Sequence, residues 1–285
     1  MNDARTPLDA NRDLHARASE AELQRWLDLA LRIANEADAI ALSHFRRDVE
    51  VRQKPDRTFV TEADTAIERM IRERIAAVEP GHGFVGEEYG TEPAGGTARW
   101  YIDPIDGTHN FIRGVPLFGT LLALEIDGEL QVGVMSAPAL RDRWYAWRGG
   151  GAWSVGAAGS EGPRRLRVSG VETVADAQLL YGSLRDLQES GLAPGFPGLL
   201  QEAWRERGFG DFWGYALVAE GAAETMIEVD VSTWDMAAPF VIVEEAGGRM
   251  TDLDGRRRID SRSILASNGI LHDEVLTRLR AETGG

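Results

Sequence analysis

The sequence predicts a layered α/β architecture in two lobes with a cleft between them, and three observations carry that expectation. Apolar residues recur at helical spacing near the start of the chain, short β-type runs crowd its middle, and strands and helices alternate through its second half. The length, 285 residues, allows one large domain or two closely packed ones. A chain of this size buries roughly 75% of the surface its unfolded form exposes.

Taken in order, Met1 to Glu20 are polar, carry Pro7 and show no apolar period, so residues 1–20 read as a flexible tail. Residues 21–150 read as an N-terminal α+β lobe and residues 151–285 as a C-terminal α/β lobe that completes the cleft. Leu23, Trp26, Leu27, Ala30, Ile33, Ala34, Ala37 and Ala41 follow the i, i+3, i+4 rule and predict a first helix. Val49 to Val60 reads as a hairpin turned by Lys54-Pro55-Asp56-Arg57, a polar turn that could close over a neighbouring site. A second helix is expected from Thr61 to Val78, burying Ile67, Met70, Ile71 and Ile75.

Strand-like runs follow at Phe84-Val85, Trp100 to Ile102, Leu117 to Ile126, Leu130 to Ser136 and Arg143 to Trp147, with Asp127-Gly128 as a hairpin signal. Gly149-Gly150-Gly151 has no lysine or helix start after it, so it reads as a flexible turn between strands and not as a phosphate loop. Ala157 to Arg164 reads as a surface loop. Beyond it come a strand at Leu179 to Tyr181, helices at Leu199 to Arg207 and Gly214 to Ala223, and a strand at Thr225 to Val229. A helix from Asp235 to Ala246, a strand at Ile264 to Ala266 and a last helix from Asp273 complete the pattern.

Charge and composition narrow the function classes. Lys plus Arg number 31 against 46 Asp plus Glu, a net charge of −15. Such a chain repels phosphate backbones and anionic lipid, so neither nucleic acid nor a membrane is expected as a partner. The sequence contains no cysteine, which removes disulfides, zinc–thiolate sites, iron–sulfur clusters and thiol nucleophiles together. No apolar leader and no apolar run of spanning length occurs, so the expected location is the cytoplasm.

Four places put carboxylates where local structure should begin or end, which is where functional side chains tend to sit. Gly86-Glu87-Glu88 follows the apolar run Phe84-Val85. In Trp100-Tyr101-Ile102-Asp103-Pro104-Ile105-Asp106-Gly107-Thr108 a strand runs into an acid, and Pro104 is expected to stop it. Asp235, after Trp234, opens a helical segment, and Asp64 stands at the start of the second helix. Each has a purely local alternative: Asp64 as part of a capping box, Asp235 as a helix-dipole acid, Glu87 and Glu88 as a solvated turn. The Asp103–Asp106 pair is harder to explain without a cation, because two acids flanking Pro-Ile repel each other. Carboxylates with a backbone carbonyl make a hard, oxygen-only site suited to Mg²⁺, with Mn²⁺ as a substitute. Among the histidines, His109 lies nearest the acids and is expected on the substrate side or in a structural role.

These residues resemble the inositol monophosphatase superfamily of Mg²⁺-dependent phosphatases. The resemblance rests on Gly86-Glu87-Glu88, on Asp103 to Thr108 followed by Asn110-Phe111, and on Trp234-Asp235, in that order, and covers Glu22 to Leu279. It implies an alternating αβαβα sandwich, a homodimer, two or three Mg²⁺ per site and a small phosphorylated metabolite as substrate. It also implies that Glu87, Asp103 and the Ile105 carbonyl hold one metal, and Asp103, Asp106 and Asp235 a second. Glu88 and Asp64 match outer or third-metal positions. Thr108 matches the hydroxyl that helps Glu87 orient the attacking water, and Gly107 and Thr108 would offer backbone N–H groups to phosphate.

Asp106 to Pro116, Val134 to Leu140, and the segments Gly210 to Phe212 and Val218 to Gly221 are similar to the histidinol-phosphatase branch of that superfamily. Glu228 matches a position that contacts the non-phosphate end of the substrate. Histidinol phosphate carries an ammonium and an imidazole, which carboxylates such as Asp211 and Glu228 complement; Asp211 has a helix-cap alternative. The same chemistry on inositol-1-phosphate, fructose-1,6-bisphosphate or a 3′-phosphonucleotide is the nearest rival, although Arg113 alone is thin support for a bisphosphate. A catalytically silent metal- or ligand-binding protein on the same scaffold is a rival of another class.

Overall fold

The structure is a computed structural model that describes residues 18–47, 51–53, 59–156 and 162–281. Helix α1 spans Glu20–His44, strands β1 and β2 span Val51–Gln53 and Phe59–Thr61, and α2 spans Glu62–Val78. Strands β3 (Gly83–Gly86), β4 (Gly90–Glu92) and β5 (Ala98–Asp106) precede the short helix α3 (Thr108–Ile112). Strands β6 (Gly119–Ile126), β7 (Glu129–Ala137), β8 (Asp142–Trp147), β9 (Gly151–Val155) and β10 (Arg164–Arg165) complete an eight-stranded sheet of order β10-β9-β8-β7-β6-β5-β3-β4. The remainder comprises β11 (Gln178–Tyr181), α4 (Leu184–Ser190), α5 (Phe196–Glu202), β12 (Arg205–Arg207), α6 (Asp211–Ala219) and β13 (Thr225–Val229). Then come α7 (Thr233–Glu245), β14 (Arg249–Thr251), β15 (Ser263–Ser267) and α8 (His272–Arg280). Its five strands form a second sheet of order β12-β11-β13-β15-β14.

Strand alternation sorts the core into three slabs. Trp100, Ile102, Leu122, Leu124, Val132 and Val134 face α1 and α2, whose Leu27, Ile33, Ile67 and Ile71 fill the other side of that slab. Their neighbours Tyr101, Leu121, Ala123 and Met135 face the opposite way, toward α6 and α7. Helix α7 is apolar all round because both sheets cover it, from Met236 through Val243. Met226, Ile264 and Ala266 close that middle slab from the second sheet, while Leu179, Ile227 and Leu265 point outward under α5 and α8. The layers are therefore helices, sheet, helices, sheet, helices, the αβαβα order. A cut at residue 150 would divide the β8–β9 hairpin, since Trp147 pairs with Gly151 and β9 and β10 belong to the first sheet.

Several expectations are corrected. The chain is helical from Glu20, because Ser19 and Glu22 form a capping box that ends the polar tail earlier than its composition implies. Pro104 does not stop β5, which continues to Asp106. The pairing with β6 shifts register between Asp103 and Asp106, a bulge where a missing N–H costs no ladder bond. Leu199 to Arg207 is not one helix: α5 ends at Glu202 and Arg205–Arg207 is the edge strand β12. The glycine turn at 149–151 is tied down, with Gly149 N and Gly151 N donating to Glu245 at 3.1 and 3.0 Å. Strands β1 and β2 pair antiparallel as the hairpin requires. The turn at 54–57 and the first part of the 157–164 loop lie outside the described residues.

Candidate active site

The bulge in β5 and the N-terminal turns of three helices converge at one point. Asp103 and Asp106 stand on either side of the register shift, with the Pro104 carbonyl between them accepting from Thr120 Oγ1 at 2.8 Å. Gly107 then turns the chain into α3 at φ +79°; a Cβ there would lie 2.9 Å from the Leu117 carbonyl, so only glycine serves. Thr108 opens α3 and donates its hydroxyl to the Ile105 carbonyl at 2.9 Å.

Asp235 is the third residue of α7 and Asp64 the third of α2, and each closes a capping box. The two local readings of these residues and the metal reading thus coincide in geometry. Asp235 Oδ2 accepts from Ser232 N at 2.7 Å, and Asp64 Oδ2 accepts from Thr61 N at 2.8 Å. A cap uses one carboxylate oxygen and leaves the other to the cluster. Asp64 Oδ1 and Asp103 Oδ1 are buried with no hydrogen-bond partner.

One carboxylate oxygen each from Asp103, Asp106 and Asp235 lies within 4.8 Å of the others. These are the three that the family resemblance assigns to a second metal. Asp64 and Glu87 stand outside this close triad but within its field. Burial, followed by the charges of Glu87, Asp106, Asp235 and Asp64, pushes the Asp103 carboxyl well above its ordinary range. Burial, then Asp211 and Asp235, does the same to Asp106. Burial lifts Asp235 to about 7 and Asp64 to about 6, against the hydrogen bonds of their caps. Glu88 lies one residue along the turn from Glu87 and is not in the triad; its N–H donates to Glu68 at 2.7 Å.

Glu68 is the residue that sequence reasoning missed. Fully buried on α2, it accepts from Arg72 Nε and Nη2 at 2.9 and 2.7 Å and from the N–H groups of Glu88 and Tyr89. Glu87 N donates to the Ile102 carbonyl at 3.2 Å, so the Gly86-Glu87-Glu88 turn is held from both sides. The signal was the i, i+4 pairing of Glu68 with Arg72, which by itself reads as an exposed helix pair.

Beyond the triad lies a second pair of acids. Asp106 Oδ2 accepts from Phe212 N at 2.6 Å, which joins the triad to the first turn of α6. The neighbouring Asp211 adopts φ +57°, a conformation Asp tolerates better than most residues. Its Oδ2 accepts from Asn110 Nδ2 at 3.1 Å, and its N–H donates to Glu228 Oε1 at 3.2 Å. Burial raises the Asp211 carboxyl, with His109 and Asn110 opposing, and lifts Glu228 to about 8 against the Tyr215 hydrogen bond. The ring of His109 packs edge-on to Phe59 of the β1–β2 hairpin, centroids 5.2 Å apart.

The residues fit a hard divalent cation. The donors are oxygens only, they converge, a buried carboxylate oxygen lacks a partner, and burial together with mutual repulsion raises the carboxyls of the group. A sign for pH dependence follows. These acids have folded-state pKa values above their unfolded ones, so the metal-free fold keeps protons that the unfolded chain loses above about pH 4. Their contribution to stability is present at low pH and lost as pH rises toward 6 for Asp64 and 7 for Asp235. Added Mg²⁺ or Mn²⁺ is expected to raise the melting temperature far more at pH 8 than at pH 5, with proton release on binding. Thermal scans and calorimetry in two buffers check this; equal shifts at both pH values would count against the cluster as the metal site.

Residues 22–283 match the inositol monophosphatase family. The chain is 46% identical over 256 residues to a protein named histidinol-phosphatase from Mycobacterium tuberculosis, covering 90% of this chain and 98% of that one. It is 46% identical over 255 residues to another histidinol-phosphatase, from Streptomyces coelicolor, covering 88% and 95%. Among solved structures, the IMPase of Thermotoga maritima matches with a TM-score of 0.78 at 31% identity, covering 90% of this chain and 96% of that one. With the αβαβα layers and the acids of the motif segments together, the chain belongs to the inositol monophosphatase family.

Proposed function

We propose that this chain is a Mg²⁺-dependent phosphomonoesterase that hydrolyses histidinol phosphate to histidinol and inorganic phosphate, a step of histidine biosynthesis, as a cytoplasmic homodimer. The observation that carries the choice of substrate is the Asp211–Glu228 pair, linked through the first turn of α6 to the triad acid Asp106. An ester whose phosphate sits at the triad would reach these acids with its alcohol end, and histidinol presents an ammonium and an imidazole there. The names of the relatives at 46% identity favour the same substrate.

In this reading Glu87, Asp103 and the Ile105 carbonyl hold one cation, Asp103, Asp106 and Asp235 a second, and Asp64 and Glu88 serve a third or an outer position. When bound, such cations supply Lewis-acid activation of water and neutralise charge on phosphate and leaving group. Thr108 and Glu87 orient the attacking water. Because the Thr108 hydroxyl spends its proton on Ile105, its oxygen would serve that water as an acceptor, with Glu87 as the second acceptor. The amides of Gly107 and Thr108 bind phosphate oxygens. No protein nucleophile is needed, so the chain contributes positioning and electrostatics.

Phosphate release from histidinol phosphate and inositol-1-phosphate, with Mg²⁺ and with chelator, tests the proposal. Fast, chelator-sensitive turnover of histidinol phosphate is expected. Preference for inositol-1-phosphate would retain the chemistry and overturn the substrate, and no turnover by folded protein would favour a silent binder. Asp211→Ala is expected to reduce kcat/KM for histidinol phosphate about thirtyfold or more, from a lost charge pair of about 2–5 kcal/mol, and to affect inositol-1-phosphate less. Asp211→Asn is the cleaner variant because asparagine tolerates the positive φ. Equal losses on both substrates would remove Asp211 from the specificity pocket.

A further inference from the structure

Tyr215 is buried to 1% exposure on α6, one helical turn after Asp211. A phenylalanine would fill the same volume without a hydroxyl to satisfy, so the phenol needs a reason. Its hydroxyl donates to Glu228 Oε2, while Glu228 Oε1 accepts the Asp211 N–H at 3.2 Å. Both oxygens of one carboxyl group are thereby held from α6, one by the backbone N–H of its first residue and the other by a side chain one turn on. That helix also donates Phe212 N to Asp106, and Asp211 is steadied by Asn110 from the α3 segment. The Glu228 carboxylate therefore stands at a set position relative to the triad, although it arrives on a different sheet.

We infer that Tyr215 is a positioning residue for substrate selection: its buried phenol fixes Glu228 so that the site prefers phosphate esters of cationic alcohols over neutral ones. The inference rests on the substrate reading above and goes beyond it in naming what sets the selective carboxylate. A carboxyl group anchored by a phenol and an amide keeps its direction before substrate arrives, and pre-organisation of this kind lowers the cost of binding a cation. Without the hydroxyl, Glu228 retains only the amide and can turn away from the site.

The test is a double-mutant cycle with Tyr215→Phe and Glu228→Gln, assayed on histidinol phosphate and on glycerol 2-phosphate, with circular dichroism as a check on folding. Tyr215→Phe is expected to raise KM for histidinol phosphate about tenfold, with kcat changed less than threefold. Selectivity over glycerol 2-phosphate falls about tenfold. In the double variant the selectivity loss equals that of Glu228→Gln alone, because the phenol acts through the carboxylate. Additive losses, or a Tyr215→Phe enzyme with wild-type selectivity, overturn the inference. If Tyr215→Phe does not fold, Glu228→Gln carries the test, and its unchanged selectivity overturns the inference equally. A wild-type enzyme that turns over glycerol 2-phosphate but ignores histidinol phosphate overturns the substrate reading itself, a result distinct from the others.

Discussion

Asp106→Asn is expected to lower Mg²⁺-dependent turnover by on the order of 10³-fold while the chelated protein becomes more heat-stable, not less. The two effects have one cause. Asp106 is buried beside Asp211 and Asp235, and without a cation those charges oppose its ionisation. Asparagine keeps an oxygen for Phe212 N, which now binds Asp106 Oδ2 at 2.6 Å, and removes the charge that a metal needs. A rise of a few degrees in melting temperature is the scale of a gain of about 1 kcal/mol in a chain of this length. Phosphate release and thermal scans in chelator read the two halves separately. Activity retained with ordinary Mg²⁺ dependence would exclude Asp106 as a ligand.

Glu68→Ala is expected to give the largest loss of stability at this site, about 3–5 kcal/mol. The substitution strips Arg72 of a buried partner and leaves the Glu88 and Tyr89 amides without acceptors. It also opens a hole beside Gly86, where a Cβ would now collide with Glu68 Oε1 at 2.0 Å. The Gly86-Glu87-Glu88 turn then loses one of its two anchors, so Mn²⁺ affinity measured by calorimetry should fall together with the denaturation midpoint. A midpoint within 1 kcal/mol of wild type would mean that the turn is held elsewhere.

How much of this was legible in the sequence depended on whether the signal was local. The helical period from Leu23 to Ala41 reports burial directly, the apolar runs of β6 and β7 mark strands covered on both faces, and these elements stand where expected. Short pieces such as α3, α4, β4 and β14 carry too few residues for a period, and tertiary contacts decide them. Pro104 misled because the rule against proline holds for a regular ladder, whereas β5 is irregular at that point. The acids of the site were visible because they fall in short motif segments at element ends, Gly86 to Glu88, Asp103 to Thr108 and Trp234-Asp235. What supports them, Glu68 under one turn and Tyr215 behind Glu228, was not, since a buried hydrogen bond between residues far apart leaves no pattern in the chain.

The double duty of Asp64 and Asp235 bears on how descendants of such a protein can be read. Each caps a helix with one oxygen, so stability alone would keep a side-chain acceptor at both positions after catalysis had been abandoned. Asparagine, glutamate or glutamine would satisfy that demand. Asp103 begins no helix; its Oδ1 is buried without a partner, and repulsion from its neighbours makes its charge a burden on the fold. Drift would discard it first. In a gene of this kind, an acid at position 103 is therefore a better record of continuing chemistry than an acid at 64 or 235.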